Sequence, residues 1–253
     1  MDFKKIRAFC LKLFCILSII SSNCFSAPLV VGVGVSGLPI AQKIYSVKGP
    51  YYFGFCIDLM NDICKAIGES CTYKDTTLDN QFELLDQGKV DLLILSSPYT
   101  PYELSEYAAS VPYAVSKMQF MALQNSPLNH LSDIKNKKIG ALKNTFYSLL
   151  VESPYGSKNE IIAYNTNDEL ISDLTQHKVD LIAMNNVVAY TLMYNSTYSI
   201  KPVGHSIPLG EGYGIIGLPN KKALIEKINR AILSIENDGT YASIYRKYYI
   251  PED

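Results

Sequence analysis

Short apolar runs alternate with amphipathic segments along most of the chain, which predicts buried strands separated by helices. The runs from Pro28 to Val35 and from Val90 to Leu95 are each predicted to form a buried strand. Between them, apolar positions from Ile57 to Ile67 recur at helical spacing, which predicts an amphipathic helix that Gly68 ends. Strands that alternate with helices in this way indicate a parallel α/β sheet with right-handed crossovers.

A second, similar set of units follows in the other half of the chain. Strands are predicted from Lys138 to Leu142 and from Val179 to Met184, with helical patterns around them. Two further apolar segments, Met118 to Leu123 and Gly212 to Leu218, are predicted to connect the two halves in opposite directions. Two crossings imply two lobes with a hinge, and the chain then closes with a long amphipathic helix from Lys221 to Asn237.

The first 26 residues have the pattern of a signal peptide. Basic residues precede an apolar stretch from Leu13 to Ile20, and small residues follow it. The stretch is shorter than the roughly 20 apolar residues that a membrane span needs. We therefore predict export to the periplasm, cleavage after Ser26 or Ala27, and no membrane insertion of the mature chain. A lipid anchor on Cys24 is the alternative, and Asn23 disfavours it because a small residue is expected there.

Charge and cysteine content limit the possible partners and disulfides of the mature chain. Removal of residues 1–26 leaves 19 basic and 23 acidic side chains, a net charge of −4, which argues against a nucleic-acid partner. The mature chain keeps Cys56, Cys64 and Cys71. Export permits a disulfide, but an odd count of three leaves three single pairings open.

Four segments, in the same order, resemble one known family. They are GFCIDLMNDICKAIGESC (54–71), VDLLILSSPYTP (90–101), DIKNKKIGALKNT (133–145) and GYGIIGLPNKKALIEKINRAILSIENDGTY (212–241). They resemble the periplasmic solute-binding proteins of polar amino-acid ABC importers (family 3), especially the lysine/arginine/ornithine-, histidine- and arginine-binding branch. The resemblance covers nearly all of the mature chain.

The resemblance implies an α/β, two-lobe type II periplasmic-binding-protein fold, with two βα sheets joined by two hinge crossings. It divides the chain into a signal peptide (1–26), a first lobe (27–116 and 210–253) and a second lobe (117–209). It also implies a disulfide between Cys64 and Cys71. Cys56 stands where the family usually carries Asp, and we interpret it as a small buried hydrophobic residue.

The resemblance further implies a ligand site between the lobes, at which this chain departs from the family pattern. Family members bind the α-carboxylate of an amino acid with an Arg and the α-ammonium with an Asp. These positions carry Glu103 and Asn185 here, and Gly37 stands at the position of an aromatic lid residue. The implied ligand-binding residues are Leu78, Ser96, Ser97, Glu103, Leu142, Thr145, Phe146, Tyr147 and Asn185.

Glu103 leaves two interpretations open. A carboxylate at this position repels a ligand carboxylate, so standard zwitterionic amino acids are predicted to bind poorly. In the first interpretation, Glu103 acts with Tyr99, Tyr102 and Tyr147 to select a cationic or aromatic ligand that lacks a free α-carboxylate. In the second, Glu103 is a solvated loop charge and the pocket binds weakly or not at all.

These features predict a non-enzymatic, monomeric solute-binding component of an ABC importer that closes on its ligand by hinge motion. Its predicted partners are a small amine-bearing solute, such as an amino acid, and an inner-membrane permease, and no cofactor or metal is predicted. His130, His177 and His205 lack the spacing of metal ligands. A sensory or partner-binding module of the same fold is the alternative. A cyclohexadienyl-dehydratase-like enzyme is less favoured, because its acidic substrate needs positive groups and the Arg is lost.

Overall fold

The computed structural model describes residues 27–250 except Ser36, Asn144, Ser196 and Thr197. The predicted signal peptide and its lipid-anchor alternative lie outside the described residues. Within the described part of the chain, every helix is too short or too polar to cross a bilayer.

Strands and helices alternate along most of the described chain. The strands are β1 (Leu29–Gly34), β2 (Gln42–Ser46), β3 (Gly49–Phe53), β4 (Cys71–Thr76), β5 (Leu92–Ile94), β6 (Ala108–Ala109), β7 (Lys117–Leu123), β8 (Lys138–Leu142), β9 (Glu160–Tyr164), β10 (Leu181–Asn185), β11 (Ile200–Pro208) and β12 (Ile215–Gly217). The α-helices are α1 (Phe55–Ala66), α2 (Gln81–Asp86), α3 (Pro101–Glu106), α4 (Tyr147–Glu152), α5 (Asn167–Thr175), α6 (Asn186–Asn195), α7 (Lys222–Asn237) and α8 (Thr240–Tyr249). Short 3-10 helices occur at Leu131–Asp133, Gly156–Lys158 and Pro219–Lys221.

The strands form two five-stranded sheets with matching arrangements. The first sheet has the order β4-β1-β5-β12-β6, and the second has the order β11-β7-β10-β8-β9. In each sheet four strands run in one direction, β4, β1, β5 and β6 in the first and β9, β8, β10 and β11 in the second, and one strand, β12 or β7, is antiparallel to them. The predicted parallel arrangement therefore holds for four strands of each sheet, and one antiparallel strand makes each sheet mixed. The strand that follows each crossing, β7 or β12, enters its sheet from the hinge and so runs against the parallel set.

Each sheet is covered on both faces because successive residues of a strand point to opposite sides. In β5, Leu92 and Ile94 belong to the core that includes α1 and α7, whereas Leu93 packs with Leu85 of α2 on the other face. The second sheet likewise separates two buried clusters, one around Phe120 and one around Met121.

The first helix ends as its sequence predicts. Gly68 has a φ of 75°, a left-handed conformation that glycine adopts at low cost. Its N–H donates to Lys65 O (3.2 Å), and Glu69 N–H donates to Cys64 O (2.9 Å). This is the Schellman pair of bonds that satisfies the last carbonyls of a helix. The next strand begins at Cys71, whose sulfur is bonded to Cys64, as the family resemblance implies.

Several elements are absent from the sequence-based prediction. The Tyr-rich stretch from Tyr45 to Phe53, for which no strand was predicted, belongs to the β2-β3 hairpin, which pairs with itself and not with either sheet. Helix α6, β9 and β11 were not predicted either. Helix α6 has no single apolar face, so its sequence carries no helical periodicity.

The two crossings lie next to each other and are hydrogen bonded. Tyr113 N–H donates to Tyr213 O (2.8 Å), and Tyr213 N–H donates to Ala114 O (2.9 Å). Leu209 N–H donates to Ser116 O (3.3 Å), and the Ser116 hydroxyl donates to Leu209 O. The segments predicted as connectors, 118–123 and 212–218, lie mostly inside the sheets as β7 and β12. The apolar residues of β7 and β12 are buried in the cores, and the connection itself is made by residues 113–116 and 209–213.

Candidate functional site

The candidate site lies where strand ends from both sheets meet the second crossing. Beyond β5, Leu95 N–H donates to Gly214 O (2.9 Å) and Tyr99 N–H donates to Gly212 O (2.8 Å). At the end of β10, the Asn185 side chain donates to the Tyr213 hydroxyl (2.9 Å). The carboxyl ends of β5 and β10 therefore reach the same hinge segment, which is where open α/β sheets bind ligands.

The surroundings of Gly210 show that Pro98 of the first lobe and Leu149 of the second lobe lie close together. A Cβ at this position would lie 2.7 Å from Pro98 Cβ and 2.9 Å from Leu149 Cδ1, so a larger side chain would displace one of them. Pro98 follows Ser96 and Ser97 in the first lobe, and Leu149 lies in α4, which follows Thr145 in the second. The two segments predicted to bind ligand thus face each other across the hinge.

Glu103 is engaged by its own helix. Its Oε2 accepts hydrogen bonds from Thr100 N (2.5 Å) and Thr100 Oγ1 (2.8 Å), and Glu103 N–H donates to Thr100 Oγ1 (3.4 Å). This is the capping box that satisfies free N–H groups at the start of α3. The side chain is 8% exposed, so the interpretation of Glu103 as a solvated loop charge is wrong.

Tyr99 does not face the cleft. It is 1% exposed, and its hydroxyl lies 3.1 Å from Ile215 O and 3.2 Å from Ser110 O. Burial raises the pKa of Tyr99 to about 12, so the phenol stays neutral. The predicted role of Tyr99 in cation selection is therefore corrected, because the ring belongs to the core. Tyr102, by contrast, is 66% exposed.

Both ends of the Asn185 amide are used within the protein. Its Nδ2 donates to the Tyr213 hydroxyl, and its Oδ1 accepts from Val187 N–H (2.9 Å) at the start of α6. Burial raises the pKa of Tyr213 to about 12, which keeps this hydroxyl protonated. Asn185 therefore ties the second sheet to the crossing.

The remaining predicted residues fall into two groups. The Phe146 ring has no exposed surface and packs in the cluster around Phe120, so a direct ligand contact by this ring is corrected to a core contact. Leu142 is also buried, at 9% exposure. The half-buried residues of the predicted set are Leu78, Ser96, Ser97, Thr145, Tyr147 and Asn185.

Lys143 was not among the residues singled out from the sequence. It directly follows β8, it is exposed, and its N–H donates to Tyr164 O (2.9 Å) at the end of β9. Within the described residues its ammonium takes part in no ion pair. Its place immediately after a predicted strand, between Leu142 and Thr145, was the signal that could have found it.

Another concave site lies at the carboxyl end of β9, the strand next to β8. It has a volume of about 400 Å³ and is lined by residues that include Tyr164 and Asp173. The Tyr164 hydroxyl donates to Asp173 (2.9 Å), and Asp173 also pairs with Lys178 (2.9 Å). Because these polar groups already bind one another, we assign no ligand to this site.

Two similar α/β lobes whose strand ends meet at a paired crossing define a two-lobed solute-binding protein. The model of the family "Bacterial extracellular solute-binding proteins, family 3" matches residues 29–251, and the chain belongs to this family. This result confirms the family and the fold that the sequence motifs implied.

Individual relatives agree with this assignment. The chain is 26% identical over 211 residues to the histidine-binding periplasmic protein of Salmonella typhimurium, covering 78% of each chain. It is 26% identical over 241 residues to the lysine/arginine/ornithine-binding periplasmic protein of Escherichia coli, covering 92% of each. A solved structure of an arginine 3rd transport system periplasmic binding protein from Legionella pneumophila is similar at 31% identity. Its TM-score is 0.76, with 88% of this chain and 100% of that chain covered.

Proposed function

We propose that this chain is the extracytoplasmic solute-binding component of an ABC importer. Its solute is an amino acid or a related small amine-bearing molecule, held between the lobes. The observation that supports this most directly is the meeting of both sheets' strand ends at one hinge in a member of this family. Relatives named for binding histidine, arginine, lysine and ornithine support the class of solute.

The proposed lobes are residues 27–116 with 210–253, and residues 117–209. Strands β7 to β11 all belong to the second sheet, and β12, α7 and α8 return to the first, which supports these limits. The proposed ligand-facing residues are Leu78, Ser96, Ser97, Leu142, Thr145 and Tyr147. Asn185 lies at the hinge, whereas Glu103 and Phe146 act by stabilising the walls of the site.

The proposal places the protein in the periplasm as a monomer without catalytic activity, after cleavage near Ser26 or Ala27. It delivers its solute to an inner-membrane permease. Relatives named as periplasmic proteins support this location. The intact mass of the exported protein tests the cleavage: a chain that starts at Ala27 or Pro28 is expected, and a retained apolar stretch would contradict it.

A thermal-shift screen tests the proposed solute binding. The exported protein is heated with amino acids, polyamines, sugars, small peptides and aromatic acids. A ligand at 100 times its Kd adds about 2.7 kcal/mol to the free energy of unfolding. For a chain of this size we expect a rise in Tm of about 5–10 °C. Small-angle scattering with the hit should show a smaller radius of gyration, because the lobes close.

Two outcomes count against the proposal. A Tm that stays constant across the whole panel would contradict solute binding and favour the sensory or partner-binding alternative. A hit that is chemically consumed, detected by mass spectrometry of the solute, would contradict the non-enzymatic assignment.

A further inference from the structure

We propose that Lys143 is the anion-binding residue of this site and that the solute is bound mainly through a carboxylate. This inference rests on the proposed function, since it requires a solute in the cleft. In the family pattern, the positively charged residue that binds the carboxylate belongs to the first lobe, whereas Lys143 belongs to the second.

The second lobe presents positive charge at its cleft edge. The residues that directly follow β8, β9 and β10 are Lys143, Asn165 and Asn186, so Lys143 is the charged member of this set. Lys117, which begins β7, lies at the same edge because Met118 pairs with Asn185. Two exposed lysines therefore lie at this edge, where α5 also begins with Asp168 and Glu169 in its first turn.

The first lobe offers no comparable cation at its own described strand ends. Val35 follows β1, and Leu95 and Ser96 follow β5. Lys43, in the hairpin, is held by Asp75 near the end of β4 at 2.6 Å. The Glu103 carboxylate accepts two hydrogen bonds from Thr100 through Oε2, so part of its hydrogen-bonding capacity is used within the first lobe.

Lys143 is positioned by its backbone while its side chain stays in solvent. Its N–H is bonded to Tyr164 O (2.9 Å), and the turn beyond it is closed by Thr145 N–H donating to Leu142 O (3.2 Å). The acidic residues that follow β9, Asp168 and Glu169, lie in the first turn of α5, where the helix dipole stabilises them. An ammonium has three donors without a fixed direction, so it binds a carboxylate without precise alignment.

Closure of the lobes is expected to strengthen this interaction. When the cleft closes, water leaves and the effective dielectric constant falls, so the attraction between Lys143 and a carboxylate grows. Closure is expected to strengthen the binding of an amino acid's α-ammonium less than that of its carboxylate. Asn185, at the family's ammonium position, already uses both ends of its amide within the protein.

Calorimetry with three related solutes tests the inference. The solutes are L-lysine, 6-aminohexanoate, which lacks the α-amine, and cadaverine, which lacks the carboxylate. The pairs L-arginine with agmatine and L-histidine with histamine repeat the test on other side chains. In the wild-type protein we expect the carboxylate-bearing members to bind about 10–100-fold more tightly than the amines, with 6-aminohexanoate close to L-lysine.

Lys143→Gln is the decisive variant, and Lys138→Gln is its matched control. Lys138 is exposed at the opposite end of the same strand, away from the cleft. Lys143→Gln should remove the 10–100-fold preference for carboxylates and leave the Tm of the ligand-free protein unchanged. Lys138→Gln should keep the preference.

The outcomes separate this inference from the proposed function. If cadaverine or agmatine binds as tightly as its amino acid, or if Lys143→Gln retains the preference, the inference is wrong and solute binding stands. If the wild-type protein binds none of the three series, both the amine-bearing solute and the role of Lys143 are wrong.

Discussion

The two lobes share one arrangement of strands, but they use the polar groups at their cleft edges differently. In the first lobe, the Glu103 carboxylate and the Tyr99 hydroxyl are bonded within the lobe itself. In the second lobe, Lys143 is exposed and takes part in no ion pair within the described residues. The same scaffold therefore leaves different chemistry available on its two sides. In the proposed site, the free groups, and not the fold, decide which lobe binds the solute's charge.

The lobes also differ in how they are stabilised. The first lobe has the Cys64–Cys71 disulfide, and Phe55 of α1 contacts Tyr241 and Tyr249 of the C-terminal helix α8. In the described second lobe, apolar packing between its sheet and helices serves instead. Core substitutions are therefore expected to destabilise the second lobe, because each removes apolar contacts and leaves a cavity.

The largest expected effect is that of Phe146→Ala. The Phe146 ring has no exposed surface, so its removal leaves a cavity in the core of the second lobe. Truncation of a buried Phe costs about 3–5 kcal/mol in the free energy of unfolding. Urea denaturation followed by circular dichroism measures this loss.

Tyr147→Ala is the control for this prediction, since the neighbouring ring is only half-buried. It should cost clearly less stability than Phe146→Ala. If Phe146→Ala instead lowered solute affinity with little loss of stability, the ring would belong to the binding surface, and the description of the second lobe's edge would be wrong.

The second effect concerns the disulfide of the first lobe. Replacing both Cys64 and Cys71 by Ala should lower the free energy of unfolding by about 2–3 kcal/mol, because the bond closes a short loop in the unfolded chain. Wild-type protein unfolded in the presence of a reductant is the control and should lose a similar amount.

Thiol titration of the exported protein checks the same bond. One free thiol, that of Cys56, should react after unfolding, and three would contradict the disulfide. Burial raises the pKa of the Cys56 thiol to about 12, so Cys56 should not react in the native protein at neutral pH. A rapid reaction in the native state would show that this part of the core opens readily.

Much of the fold follows from the sequence, because it depends on local patterns. Buried strands such as β1 and β5 are apolar over their whole length, and Gly68 marks a helix end through its own backbone preference. The β2-β3 hairpin and α6 lack such a pattern. They form because of what they pair with or pack against, and a single sequence does not contain that information.

The sequence predicts a location for the site, but not which of its side chains are free to bind a ligand. The family motif placed Glu103 and Asn185 in the ligand site, but it could not show that each is bonded to partners of its own. That depends on Thr100, three residues before Glu103, and on Tyr213, 28 residues beyond Asn185. Lys143 lies between Leu142 and Thr145, two positions of the family pattern, but is not itself one of them. The pattern therefore does not mark it as a binding residue.

Glu103→Ala is expected to lower the free energy of unfolding less than the preceding variants do. It tests whether the Glu103 carboxylate stabilises the first lobe or binds the solute. Loss of the carboxylate leaves the partly buried Thr100 N–H without its acceptor, at a cost of about 1–2 kcal/mol. Glu106→Ala, at the exposed end of the same helix, should cost much less, because within the described part of the chain the Glu106 carboxylate accepts a hydrogen bond only from the neighbouring, exposed Ser105. If Glu103 serves only to cap α3, calorimetry should show the same affinity for L-lysine in Glu103→Ala as in the wild-type protein. If Glu103→Ala bound cadaverine much more weakly than the wild-type protein while its stability stayed unchanged, Glu103 of the first lobe would bind the solute's charge. The assignment of that role to the second lobe would then be wrong.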